Sequence, residues 1–263
     1  MPRAGYDLAM LYAITREVSA AIGRCELTHL TRLEIDVARA RAQHAAYERA
    51  LEACGAAILR ADREPEMPDA VFVEDTAVVV PEGAVIMQPG APSRSAECES
   101  IIRLLSQHRT CARIYAPATI DGGDVLRIGK TFFVGRSART NVDGVEQFAA
   151  IVGRWGYRVE PVEVTGCLHL KSAVTCVGEG IILVNPKWVD ASVFGTVDVL
   201  EVDAAEEYAA NGLPIGGKLI YPDHFPRTRE RLMKRGIDVF TVPADELAKA
   251  EGAVTCCSIV FEG

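Results

Sequence analysis

Glu74-Asp75-Thr-Ala-Val-Val-Val-Pro-Glu-Gly-Ala-Val-Ile-Met87 decides the fold. Two carboxylates open it, an apolar run follows, Pro81-Glu-Gly83 supplies a turn, and a second apolar run closes it. Runs this short and this rich in β-branched residues read as strands, and a glycine turn between two of them reads as a hairpin. The pattern returns as Gly123-Asp124-Val-Leu-Arg-Ile-Gly-Lys-Thr-Phe-Phe-Val134 and as Lys171-Ser-Ala-Val-Thr-Cys-Val-Gly-Glu-Gly-Ile-Ile-Leu-Val184. Helical segments follow near Glu97–Leu105 and Val145–Trp155, the second stopped by Gly156. Asp75 and Asp124 are 49 residues apart, Asp121 and His169 48, a period that marks repeated supersecondary units.

Working outward, weaker copies fit both ends. Met1–Arg16 reads as a first buried strand, and a long helix from about Ile35 to Cys54 ends at Gly55. Toward the C-terminus come Leu219-Ile-Tyr221, a helix near Pro226–Arg235, Val239–Val242 and a last strand over Val254–Phe261. About five units fill the chain, which predicts a single α/β domain spanning 1–263, closed as a propeller. In a ring, the polar residues that open each unit converge on one axis and build a single central pocket.

Bulk properties narrow the function. The net charge is −8, from 36 acidic and 28 basic residues with no basic run, which argues against nucleic-acid or anionic-membrane partners. No stretch approaches the ~18 uncharged apolar residues of a membrane span. The N-terminus carries Asp7 and Arg16 and no small-residue cleavage site, so a cytoplasmic location is expected. Six of the eight cysteines are scattered singly with no CxxC, the pattern of buried structural thiols.

The unit openings carry the chemistry. Asp69, Glu74 and Asp75 bracket an apolar strand segment; buried carboxylates need a cationic partner, and a guanidinium ligand has the matching bidentate geometry. Asp121-Gly-Gly-Asp124 repeats the theme, its glycines permitting either a turn or close backbone approach to a ligand. His169, on a strand, takes the position that carboxylates hold in the two preceding units, though a satisfied core histidine is the ordinary alternative. Cys256-Cys257 lies on the last strand, where neighbours face opposite ways, so one thiol can face the axis as a nucleophile. Arg94 and Arg139 follow the second strands of two units, at equivalent positions suited to clamping a carboxylate.

Together these motifs resemble the dimethylarginine dimethylaminohydrolases of the guanidino-group-modifying (pentein) superfamily. The resemblance rests on Asp69 with Phe72-Val-Glu-Asp75, Asp121-Gly-Gly-Asp-Val125, Phe132-Phe-Val-Gly135 through Arg139-Thr-Asn141, His169-Leu-Lys-Ser172, Tyr208-Ala-Ala-Asn211 and Val254-Thr-Cys-Cys-Ser258. It implies a five-bladed α/β propeller of ββαβ units with pseudo-fivefold symmetry. It implies Cys256 as nucleophile, His169 as acid and then base through a covalent thiouronium, and Asp121 as the residue orienting His169, where many relatives have Glu. It implies that Asp75, with Glu74 beside it, pairs with the guanidinium. Asp69 and the carbonyls of Ile22 and Ala250 would hold the α-amino group, and Arg94 and Arg139 the carboxylate. The substrate would be a small molecule, a methylated arginine, hydrolysed to citrulline and a methylated amine with no cofactor and no metal, in a possible homodimer. Arg16 to Leu27, the expected lid, matches only in outline.

Three alternatives stand beside this. Arginine deiminases use the same constellation on unmethylated arginine but are typically longer, with an inserted helical region. A non-catalytic propeller, such as the ribosome anti-association factors, needs no Cys/His pair. A metal-binding protein using Cys256 and His169 predicts metal dependence.

Overall fold

The computed structural model describes residues 10–263; of the expected first strand, residues 1–9 lie outside the described residues. β1 (Leu11–Thr15) leads through α1 (Val37–Ala53) to β2 (Ala56–Arg60), which lies parallel to it. Asp36 caps α1 by accepting the Arg39 amide at 3.0 Å, and Gly55 takes the left-handed conformation beyond its end (φ +94°). Ala40, Tyr47, Ala50 and Leu51 recur at helical spacing and form the buried face.

The remaining units follow the predicted order. The second is β3 (Ala77–Val80), β4 (Gly83–Ile86), α2 (Cys98–Leu105) and β5 (Cys111–Arg113). The third is β6 (Val125–Ile128), β7 (Thr131–Arg136), α3 (Val142–Gly153) and β8 (Arg158–Glu163). A single turn, α4 (Leu170–Ala173), precedes β9 (Val174–Gly178), β10 (Ile181–Val184) and β11 (Asp198–Glu201). The fifth is β12 (Leu213–Ile215), β13 (Lys218–Pro222), α5 (Pro226–Lys234) and β14 (Val239–Val242). In each of these four, the first strand is antiparallel to the second and the third parallel to it.

β15 (Ile259–Glu262) supplies the first strand of the first unit, pairing antiparallel with β1 from Leu11↔Glu262 to Ile14↔Ile259. Both ends of the described chain therefore share one three-stranded sheet, and five such sheets make the five-bladed α/β propeller. The fourth blade departs from the repeat: a 3-10 turn, Ala191–Phe194, replaces its helix. Apolar clusters fill the spaces around the blades, whereas the axis collects buried polar residues: Asp75, Asp121, Asp124, His169, Asn211 and Thr255.

One expectation is corrected. The segments that open the units are not strands but single helical turns: Val73–Thr76, Gly122–Asp124, α4 and Thr255–Cys257. Cys256 and Cys257 thus precede the last strand, and His169 is the extended residue that starts α4. A continuous apolar run fits a buried turn as well as a buried strand, so periodicity cannot separate them. The turn Val73–Thr76 packs against both Gly122–Asp124 and Thr255–Cys257, and α4 against Gly122–Asp124, which brings the unit openings together. Among the described residues no helix is long and apolar enough to cross a membrane.

Candidate active site

His169 enters α4 with extended backbone and a buried ring. Its Nε2 lies 3.0 Å from Asp121 Oδ2, and its Nδ1 lies 3.8 Å from Asp75 Oδ1. Neither carboxylate is free to turn. Asp121 also accepts the Gly90 amide at 2.8 Å. Asp75 accepts the Gly123 amide at 2.9 Å through Oδ1 and Arg94 Nη1 at 2.6 Å through Oδ2. Gly123 is required here, because a Cβ would fall 2.5 Å from His169 Nδ1 and 2.8 Å from Asp75 Oδ1.

Cys256 is held by its own turn. The Thr255 hydroxyl donates to Glu74 at 2.8 Å and accepts from Asn211 Nδ2 at 2.9 Å, and the Thr255 amide donates to Asn211 Oδ1 at 3.1 Å. Lys171 completes the chain with an ion pair to Glu74. Cys257 faces away into the core beside α1, while the half-buried Cys256 opens on a small cavity. The two thiols do face opposite ways, but a 3-10 turn rather than a pleat separates them.

That cavity measures about 10 Å³, and Cys256, His169, Asp69, Asp75, Arg94, Arg139, Glu26, Ala250 and Glu251 are among its lining residues. Asp121 stands behind His169, and Glu74 behind the Cys256 turn. Ile22 is absent from the wall: its side chain is buried in the core and its carbonyl accepts the Cys25 amide at 3.0 Å. Arg94 is buried and spans Asp75, Glu97 and the carbonyls of Asp69 and Phe72, so it is bound to protein acceptors. Among the described residues the Arg139 guanidinium reaches only the Thr28 hydroxyl, at 3.3 Å. A larger, mostly apolar cavity of about 330 Å³ shares Leu168, Glu251 and Gly252 with the first but is lined by neither Cys256 nor His169.

Burial and charge set the protonation states. Burial alone would lower the His169 pKa, but the Asp75 charge, the hydrogen bond to Asp121 and the Asp124 charge outweigh it and push it up to about 9. Burial would raise Asp75; His169, Arg94 and the Gly123 amide instead hold it at about 2. Burial, then the Glu74 and Asp75 charges, push the Cys256 thiol well above the ordinary range. Burial also raises Asp69 to about 6, against the pull of Arg94. The resting pair is therefore a neutral thiol beside an imidazolium. Asp75, Asp121 and His169 have ligand atoms within 4.8 Å of one another, but Arg94 already pairs with Asp75, so a divalent ion would have to displace that guanidinium and take a proton from the imidazolium.

Comparison with known proteins agrees with this geometry. The sequence profile described as "N,N dimethylarginine dimethylhydrolase, eukaryotic" matches residues 23–193. A Streptomyces coelicolor N(G),N(G)-dimethylarginine dimethylaminohydrolase is 37% identical over 250 residues, covering 94% of this chain and 95% of the relative. The chain belongs to the dimethylarginine dimethylaminohydrolase family. The family enzyme from Pseudomonas aeruginosa is 35% identical over 228 residues, 86% of this chain and 90% of its own. A solved structure of the Pseudomonas family member, a cysteine-to-serine variant complexed with citrulline, superposes with a TM-score of 0.91 at 33% identity, over 95% of this chain and 98% of that one.

The sequence reading passed over three residues within this family site. Asp124 accepts the Leu170 amide at 2.9 Å together with the hydroxyls of Ser137 and Thr140, so it ties the start of α4 to the Arg139 loop; its place in Asp121-Gly-Gly-Asp124 was the available signal. Glu26 and Glu251 left no sequence signal, because what they touch is distant in the chain.

Proposed function

We propose that this hydrolase of linear amidine C–N bonds acts on free N-omega-methylated arginines, asymmetric dimethylarginine and monomethylarginine, through a covalent intermediate on Cys256. One observation carries the reading: Cys256 and His169 line one small cavity together with Asp69, Asp75 and Arg139. The acidic wall suits a guanidinium and an α-amino group, and Arg139, whose guanidinium meets only the Thr28 hydroxyl among the described residues, suits a carboxylate. Asp69 and the Ala250 carbonyl are the proposed holders of the α-amino group.

The chemistry follows from the charges. Burial, then the Glu74 and Asp75 charges, keep the thiol protonated in the ligand-free site; a bound guanidinium offsets the two carboxylates and lowers the thiol pKa, so the proton leaves to solvent on binding. The thiolate adds to the guanidinium carbon. His169, as imidazolium, gives its proton to the departing methylated amine, leaving a thiouronium on Cys256. Neutral His169 then takes a proton from water, whose oxygen attacks the same carbon, and C–S cleavage releases citrulline and restores the thiol. Asp121 keeps the imidazole oriented throughout. No step draws on a cofactor or metal, and the whole chain is proposed to work as one catalytic domain in the cytoplasm.

Purified protein given asymmetric dimethylarginine should release citrulline and dimethylamine in equal amounts, with or without a chelator. Cys256→Ser should abolish release. Faster turnover of plain arginine with ammonia as product would move the substrate to the unmethylated compound, and loss of activity with chelator would sink the metal-free mechanism.

A further inference from the structure

Residues 25–33, in the loop between β1 and α1, run from the wall of the site, where Glu26 lies, to the neighbouring apolar cavity lined by His29, Leu30 and Leu33, and one of the groups that tie them down, Glu251, is left unused by the chemistry above. The backbone amides of Thr28, His29 and Leu30 all donate to the Glu251 carboxylate, at 3.0, 2.5 and 2.6 Å. Three successive N–H groups converging on one anion form a backbone nest, worth more than one isolated side-chain contact because every donor meets a full charge. On the other flank, the Glu26 amide donates to both Asp69 oxygens at 3.2 and 3.1 Å, and the Ser93 hydroxyl meets Glu26 Oε1 at 2.7 Å.

Two further observations single out Glu251. It is the only non-glycine residue with positive φ among the described residues, at +57°. A glycine would take that backbone without strain, so the position makes sense through its carboxylate rather than its conformation. It also adjoins Ala250, the proposed carbonyl for the α-amino group, and lines the same cavity as Cys256. That cavity, about 10 Å³ beneath the loop, has room for roughly one water and none for an arginine side chain. Entry of any substrate therefore requires the loop to lift and the Glu251 nest to open.

We propose that Glu251 is the latch of this loop, a positioning residue that holds residues 28–30 down over bound substrate and links that closure, through Ala250, to the α-amino end of the ligand. The kinetic part rests on the function proposed above; the latch itself does not. It is bidentate and anionic, so a neutral amide of the same size should hold the loop poorly. Loop lifting then becomes easier in the free protein, and the closed complex becomes less populated at a given substrate concentration.

The test compares the parent with Glu251→Gln and Glu251→Gly; the second removes the backbone strain and so guards against a folding defect. In ligand-free protein the amides of residues 28–30 should exchange with deuterium at least about tenfold faster in both variants, while those of α3 keep the parent rate. With dimethylarginine, KM should rise by about tenfold while kcat changes less than threefold, as expected when only the closed population shifts. Unchanged exchange at residues 28–30 would overturn the latch, and so would a kcat loss at constant KM. The exchange arm needs no substrate: parent protein that exchanges as expected yet leaves methylated arginines intact would refute the proposed function and keep the latch.

Discussion

Replacing Asp121 by Asn removes the charge that meets His169 Nε2 at 3.0 Å while keeping nearly the same shape, so it asks what keeps the acid protonated. A buried hydrogen bond to a charged group contributes roughly 1.5–3 kcal/mol. At about 1.4 kcal/mol per pKa unit, that is a fall of about one to two units, from about 9 into the region of roughly 7–8. His169 must be protonated to serve as acid, so activity is lost as pH rises through this pKa, and the variant loses it earlier. With a pKa of about 7.5, protonation alone costs the variant roughly eightfold in kcat/KM at about pH 8.5 and almost nothing at about pH 6. Any deficit remaining at the lower pH measures lost orientation of the ring. The assays are an NMR titration of His169 in the ligand-free protein and a pH profile of kcat/KM, which reports the free enzyme. A His169 pKa within about 0.3 unit of the parent, with a deficit that does not vary with pH, would refute the assignment of Asp121 as one of the groups that, with Asp75, hold that proton.

Other outcomes follow from the same geometry. Cys257→Ser should keep kcat within about threefold while losing about 1–3 kcal/mol of stability, because its hydroxyl enters an apolar cluster; a dead Cys257 variant beside an active Cys256→Ser would exchange their roles. Gly123→Ala should drive its Cβ into His169 and Asp75 and cut kcat at least about a hundredfold with the fold retained, as seen by circular dichroism; unchanged kcat would mean the ring can move without penalty. Stability should depend on pH through the same pair. The His169 pKa is raised in the folded state, so its contribution is complete below about 6.5 and lost as pH rises through about 9. Asp75 is depressed, so its contribution is present above about 3.8 and lost as pH falls toward 2. Urea midpoints should therefore drop between about pH 6.5 and 9, and His169→Asn should flatten that drop; an equal slope in the variant would count against the raised histidine.

What could be read in the chain was whatever repeats. Hairpin turns at Pro81-Glu-Gly83, Ile128-Gly-Lys130 and Gly178-Glu-Gly180 announced the inner strand pairs, and the spacing of Asp75, Asp121, Asp124 and His169 announced a shared axis. These are local signals of turn chemistry and short apolar runs, and each acts within a few residues. The end of α1 was legible for the same reason, with Gly55 as the stop, whereas its start, set by the Asp36 cap, lies two residues beyond the expected Ile35.

Tertiary structure decided what depends on residues far apart in sequence. The local form of the unit openings went to helical turns because an apolar run suits both states, and only packing against the neighbouring turns chooses between them. The partners of Arg94 could not be foreseen: Asp75 and Glu97 surround it only because the Pro92–Glu97 turn folds back over Val73–Thr76. The Ile22 side chain went to the core, and Glu26 of the following loop lines the cavity, while the amides of Thr28, His29 and Leu30 turn to Glu251. Glu251 meets those last three across more than two hundred residues of chain. Charge pairing of that kind leaves no periodicity to read, because it depends on where the ring closes; the residue types were written in the sequence, and their meeting was set by the pairing of β15 with β1.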